Sequence, residues 1–232
     1  MTLTGLMHLL VPFGLSERTS ATLLHAIVVC LNALTVALGK DNEVLSADRI
    51  YGSTELSRWT NAFACGYFLY DFFVVLFHLP IDLKFLLHAV VCGLAFWYAQ
   101  APLFQYYTTR FLLFELSTPF LNLKNCAHAL DWPSSWKDII DKLFSAAFVG
   151  CRLIYGLPMS FEFVAFLWDL LSKQRNPETH TVALPSPAML TFCIFAITSM
   201  SGLNVVWTLL AAFGKNPTEH EVEDENDGKK ET

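Results

Sequence analysis

Charge is what this sequence has least of. Only 16% of its 232 residues are Asp, Glu, Lys or Arg, against roughly 25% in a soluble domain. Hydrophobic residues make up 54%, and mean hydropathy is +0.43. That balance excludes an ordinary water-soluble enzyme. No basic stripe is present, which excludes nucleic acid as a partner, because nothing would neutralise its phosphates. No Cys-x-x-Cys pair occurs, and the six cysteines (Cys30, Cys65, Cys92, Cys126, Cys151, Cys193) sit at wide, irregular spacing. They exclude the disulfide framework of a small secreted domain and read as buried free thiols. There is no internal repeat and no flexible linker, so the body reads as one bundle. The N-terminal apolar run lacks a basic leader and is followed by Glu17 and Arg18. It reads as an interfacial anchor or a re-entrant segment, not as a cleaved signal peptide.

Long apolar runs, by contrast, are abundant. A bilayer core about 30 Å thick asks for roughly 20 apolar residues per helix, and six segments meet that length: 18–38, 59–79, 83–101, 103–123, 139–157 and 187–213. The expected class is therefore an all-α, multi-span membrane protein. Ser16 or Ser20 is placed to cap the first helix, Pro80 to end the second, and Pro102 to separate the third from the fourth. Pro185 and Pro187 introduce the sixth. The stretch 159–171 is too short to span and reads as an interfacial helix or a continuation of helix five beyond Pro158. The chain thus divides into an N-terminal interfacial segment (1–17), a transmembrane domain (18–213) and an acidic tail (214–232). That tail holds seven of the 21 acidic residues, so the net charge of −6 describes the tail more than the body.

Six spans put both termini on one side, with eight basic residues there against five on the other. This bias predicts cytosolic termini. Lys229 and Lys230 then stand where a dilysine signal engages the coat machinery that retrieves endoplasmic reticulum membrane proteins. The expected location is that membrane.

An ionisable side chain near the bilayer centre costs about 2.5–3.5 kcal/mol on insertion scales, yet every expected span carries polar groups. Asp71 lies in helix two, Arg110 and Glu115 in helix four, Arg152 in helix five, and His25, His88 and Asn204 in helices one, three and six. Arg18, His25 and Asn32 are seven residues apart, as are Thr108, Glu115 and Asn122, and Asp71 and His78. Each set shares a helix face. A polar lumen follows, with Pro119 freeing a backbone carbonyl near Glu115. With cytosolic termini His25, Asp71, His88, Glu115, Asn122 and Asn204 fall in the cytosolic half of their spans and only Arg152 toward the other side, so the cavity is expected to open to the cytosol. The plainer reading is a buried ion pair of Asp71 or Glu115 with Arg152 that fixes helix register. A zinc site of His25, His78, His88 and Asp71 has no supporting spacing, so no metal is expected.

These residues also carry a resemblance. The run Gly66-Tyr67-Phe68-Leu69-Tyr70-Asp71, then Asp82 with Lys84-Phe85-Leu86-Leu87-His88, then Arg110 through Asn122, resembles the TLC-domain family. Ceramide synthases, translocating-chain-associating membrane proteins and the TLC-domain-containing transmembrane proteins belong to that family, and the last are the most similar. The resemblance covers 18–213 and implies a six-helix barrel around a polar, lipid-accessible cavity. In ceramide synthases two adjacent histidines serve acyl transfer from coenzyme A; here His88 stands at the first position and Ala89 at the second.

The leading expectation is a membrane protein that binds a lipid or acyl chain without a cofactor and acts in lipid homeostasis. Arg152, Asn122, Asn204, Arg110 and His25 would hold the lipid. The alternative is an acyltransferase with acyl-coenzyme A as co-substrate, His88 as nucleophile or base, and Glu115 or Asp71 orienting it. A third reading is a partner-binding subunit of the translocon region. The expected partners are membrane lipid, the coat machinery and a second copy of the chain.

Overall fold

The computed structural model describes residues 17–77, 80–174 and 184–213, and every regular element among them is helical. Helix α1 spans Glu17–Leu38, α2 Asp41–Ala47, α3 Glu55–Phe77 and α4 Leu83–Tyr98. A composite column follows: α5 (Gln105–Phe111), a 3₁₀ segment (Leu112–Ser117) and α6 (Thr118–Ala129). A second composite joins α7 (Ser134–Phe148), a π-helical segment (Val149–Tyr155) and α8 (Gly156–Gln174); α9 (Pro187–Phe213) is the last element among the described residues.

The columns form a closed ring. Helix α1 packs on α3, α3 on α4, α4 on α9, and α9 on α8 and the π segment. The π segment meets the 3₁₀ segment, α6 meets α7, and both the 3₁₀ segment and α6 return to α1. Inward faces carry many small residues, among them Ala26, Ala33, Ala64 and Ala89, all fully buried. Small side chains let helices approach closely where lipid removes any apolar driving force between them. Outward faces carry Leu31, Leu38, Leu69, Phe73, Phe77 and Phe195, all exposed. A molecule whose exterior is this apolar has lipid as its solvent.

Among the described residues, four helices are long and apolar enough to cross a membrane: Arg18–Leu38, Glu55–Phe77, Ser134–Gln174 and Pro187–Leu210. The expected third span is a shorter apolar helix, Leu83–Tyr98. The expected fourth is the broken column 105–129, in which Arg110, Glu115 and Asn122 interrupt the apolar run. The stretch 159–171 continues helix five and is not a separate surface helix, giving 41 helical residues or roughly 62 Å at 1.5 Å per residue. That is about twice the hydrocarbon thickness, so the helix projects beyond it.

Local chemistry sets the boundaries. Asp82 caps α4, its carboxylate accepting from the Lys84 N–H at 2.8 Å. Ser20 does not cap α1: it is fully buried within the helix, and its hydroxyl has no partner. Ser16 lies outside the described residues, as do the expected interfacial segment up to that point and the tail from 214. Pro187 begins α9 as expected. Phe104 starts α5 in the left-handed region, at φ 55°, and its ring anchors the turn among Phe163, Leu167 and Leu190.

Pro119 accounts for the 3₁₀ segment. It has no N–H to give the Glu115 carbonyl, which accepts instead from Thr118, one residue earlier. The π segment faces it, and Gly156 lets the two columns close. A Cβ there would stand 2.9 Å from Phe114 Cε1 and 3.1 Å from the Cys151 carbonyl oxygen. Gly156→Leu should therefore cost about 1–3 kcal/mol by overpacking, read as a lower thermal midpoint in detergent. An unchanged midpoint would contradict this close approach.

Candidate functional site

The two irregular segments project the charged groups of the interior toward each other. Arg152, on the π segment, places Nη2 3.7 Å from Glu115 Oε1 on the 3₁₀ segment. Its Nη1 donates to Asn204 Oδ1 at 3.0 Å, and its Nε donates to Ser117 Oγ at 3.3 Å. Glu115 Oε2 accepts from Thr118 Oγ1 at 2.6 Å. The aromatic rings of Phe148 and Trp207 lie 5.1 and 5.6 Å from the guanidinium carbon, within cation–π range. All of these polar groups are buried. Thiols satisfy carbonyls exposed by the irregular backbone: Cys30 Sγ donates to Leu112 O, and Cys151 Sγ to Phe114 O. All six cysteines are free.

This cluster forms one end of a cavity with about 100 Å³ of free space, partly open at its mouth. His88, Glu115, Arg152 and Asn204 line the polar end, while Phe96, Phe104, Phe111, Phe163, Ala196 and Ile197 line much of the remainder. His88 and Tyr98 both border it, and ten residues of helix between them give a length of roughly 15 Å. The cavity is a mainly apolar slot with a charged, hydrogen-bonded terminus.

The expected site residues divide accordingly. His88, Glu115, Arg152 and Asn204 come together. Arg152 does not lie toward the opposite side from the others, since it touches both Glu115 and Asn204. It sits near the centre of a 41-residue helix, whereas in the expected span 139–157 it stood near the end.

His25 does not line this cavity. It stacks on Tyr67 with ring centroids 3.8 Å apart, and the edge-on ring of Phe68 stands between it and His88, at 5.4 and 5.5 Å. It borders a separate groove with Phe63, Gly66 and Tyr70. Asp71 lies outside the cavity and pairs with Arg18 at 3.5 Å. Asn122 is buried outside the cavity lining, its amide nitrogen unpartnered. Arg110 points to a different cluster, with Tyr106 and Asn42. His78 lies outside the described residues. Among the described residues no group of three or more His, Cys, Asp or Glu could hold a metal ion.

Sequence reasoning missed Ser117, Phe68 and Met200. Met200 lines the cavity and its sulfur lies 3.7 Å from Cys92 Sγ. Its position four residues before Asn204 and that of Cys92 four after His88 were the available signal. Also missed was a buried polar seam between α3 and α5. There Ser57 Oγ donates to Gln105 Oε1 at 2.6 Å, and Asn61 Nδ2 to Thr109 Oγ1 at 3.0 Å.

Comparison with known proteins agrees with this architecture. The family model of the TLC domain matches residues 17–212. The chain belongs to the TLC-domain family. An uncharacterized TLC domain-containing protein of Schizosaccharomyces pombe is 30% identical over 77 residues, covering 33% of this chain and 27% of the relative. One of Saccharomyces cerevisiae is 29% identical over 107 residues, covering 44% and 33%. The chain thus matches about a third or less of the length of these relatives. No solved structure matches. In this TLC domain, the matched span contains both irregular segments and the whole polar cluster.

Removing one partner of a buried ion pair leaves the other charge uncompensated, at a cost of about 3–5 kcal/mol. Glu115→Gln should lower thermal stability on that scale, and Glu115→Leu combined with Arg152→Met should recover much of the loss. A double variant as unstable as the sum of its two single variants would show that the groups are not coupled.

Proposed function

We propose that the barrel binds a lipid tail or acyl chain in the slot, with the polar head held by Arg152, Glu115, Asn204 and His88. The observation that carries this reading is the two-ended cavity: an apolar length closed by a charged cluster matches the amphipathic division of a lipid. Binding sites of this kind are mostly apolar with a few placed polar groups. Arg152 supplies donors for a phosphate, carboxylate or hydroxyl oxygen, and Glu115 supplies an acceptor for an amine or hydroxyl. The chain acts in membrane lipid homeostasis in the endoplasmic reticulum, with cytosolic termini and with Lys229 and Lys230 read by the coat machinery. The support for that location is the charge bias and the position of the two lysines.

A second reading rests on His88 bordering the same cavity end as Glu115. Here the acyl group of acyl-coenzyme A passes to an amine. The thioester C–S bond breaks and an amide C–N bond forms, while the imidazole of His88 takes the amine proton and passes it to the leaving thiolate, so that coenzyme A departs as its thiol and the imidazole returns to its neutral form. Asp71, paired with Arg18, has no part in this version.

Both readings are tested on purified protein in lipid nanodiscs. Co-purifying lipid measured by mass spectrometry should fall at least about tenfold, or roughly 1.4 kcal/mol, in Ala196→Trp, which blocks the slot, and should fall in Arg152→Met. Unchanged occupancy in Arg152→Met together with altered thermal stability would reduce that residue to a structural one. With labelled acyl-coenzyme A and a sphingoid acceptor, an amide product formed by the wild type and lost in His88→Ala would put the transferase reading first.

A further inference from the structure

Arg110 was expected in the central cavity, but it is absent from the cavity lining and turns to the Tyr106 ring, where it meets a second arginine. Its guanidinium carbon lies 3.6 Å from the centroid of the Tyr106 ring, and that of Arg49 lies 4.6 Å from the same ring. Arg110 is 6% exposed, and its hydrogen bonds go only to neutral acceptors: the Tyr106 carbonyl at 2.7 Å and the Asn42 side chain. Arg49 donates through Nη1 to Glu162 Oε1 at 2.6 Å and to the Tyr107 hydroxyl at 3.2 Å, leaving Nε and Nη2. The other charged groups felt at Arg110 are Arg49 and Glu162. Nearby Asp41 and Asp48 are engaged elsewhere, by Thr54 and by the backbone of Ile50 and Tyr51. Two cations therefore share one carboxylate, and the more deeply buried of them has no anionic partner.

A buried charge without a counter-ion is costly. The location suggests what supplies one. This is the end where α3 begins and α4 ends, and exposed Trp59, Trp97 and Tyr98 surround it. Exposed indoles and phenols at the ends of spans mark headgroup level. Arg49 lies in the connector outside the spans, where its hydrogen bond to Tyr107 raises its pKa against the opposing effect of burial, with Glu162 adding to the rise. It is a fixed cation.

We propose that Arg49 and Arg110, gathered about Tyr106, form a second lipid site that takes the phosphate of an anionic phospholipid at the membrane surface. Arginine is suited to this because its planar fork offers paired donors to phosphate oxygens. Glu162 competes with the phosphate for Arg49 and so limits the affinity. The site is independent of the central slot and does not rest on the function proposed for it.

The full chain, reconstituted in nanodiscs of mixed phosphatidylglycerol and phosphatidylcholine, is delipidated stepwise, and the retained lipid is measured by native mass spectrometry. Wild type should retain phosphatidylglycerol over phosphatidylcholine. Arg49→Gln, at a half-buried position, should lower that preference about tenfold, and Glu162→Gln should raise it. Equal retention of the two lipids by the wild type overturns the proposal, as does a preference that neither Arg49→Gln nor Glu162→Gln changes. Failure of excess inorganic phosphate to displace the retained lipid supports a lipid-borne ligand. Full displacement, with phosphate bound in its place, assigns the site to a free anion and overturns the lipid assignment.

Discussion

The contact between Arg152 and Glu115 governs the interior of this barrel. Both charges lie far from water, so each must be compensated within the bundle. The Ser117, Thr118 and Asn204 side chains complete that compensation. Because the partners sit on different columns, the pair ties the 105–129 column to the long α7–α8 helix, and Asn204 adds α9. The register of half the ring is thus fixed by one guanidinium.

Regular helices would not deliver these groups. Pro119 forces the turns before it to tighten into a 3₁₀ segment, and the π segment opposite widens. Each irregularity exposes backbone groups in a medium with no water to satisfy them. Buried thiols and hydroxyls take up those carbonyls. The cysteines that composition marked as packing residues have this second role. Irregular helical geometry at membrane depth is tolerated where it faces a protein interior, and here it borders the cavity.

Much of this was legible in the sequence. Apolar run lengths and prolines located the columns, and the family resemblance supplied the ring. Polarity inside an apolar span found His88, Arg152 and Asn204, and helical spacing found Glu115, as cavity residues. What it could not give was rotation. The Thr108, Glu115 and Asn122 stripe assumed a uniform helix, but the column is interrupted by six residues of 3₁₀ geometry, each advancing about 20° more than an α-helical residue, so the seven-residue spacing no longer fixes a common face. Thr108 and Glu115 border the cavity, and Asn122 does not. Asp71 and Arg110 were misplaced for a related reason: polarity in a span signals an interior partner but not which one. Asp71 found Arg18, and Arg110 found an aromatic ring.

The central claim is that a lipid tail occupies the slot, and site-directed photolabelling tests it most directly. An acyl lipid with a diazirine near the end of its tail is incorporated into nanodiscs with the wild-type chain, activated, and the labelled residues are mapped by peptide mass spectrometry. The account predicts labels on slot residues at the apolar end, such as Phe104, Phe163 and Ile197, and their loss in Ala196→Trp. Labels confined to the outer surface, on residues such as Leu31, Phe73 and Phe195, would contradict it.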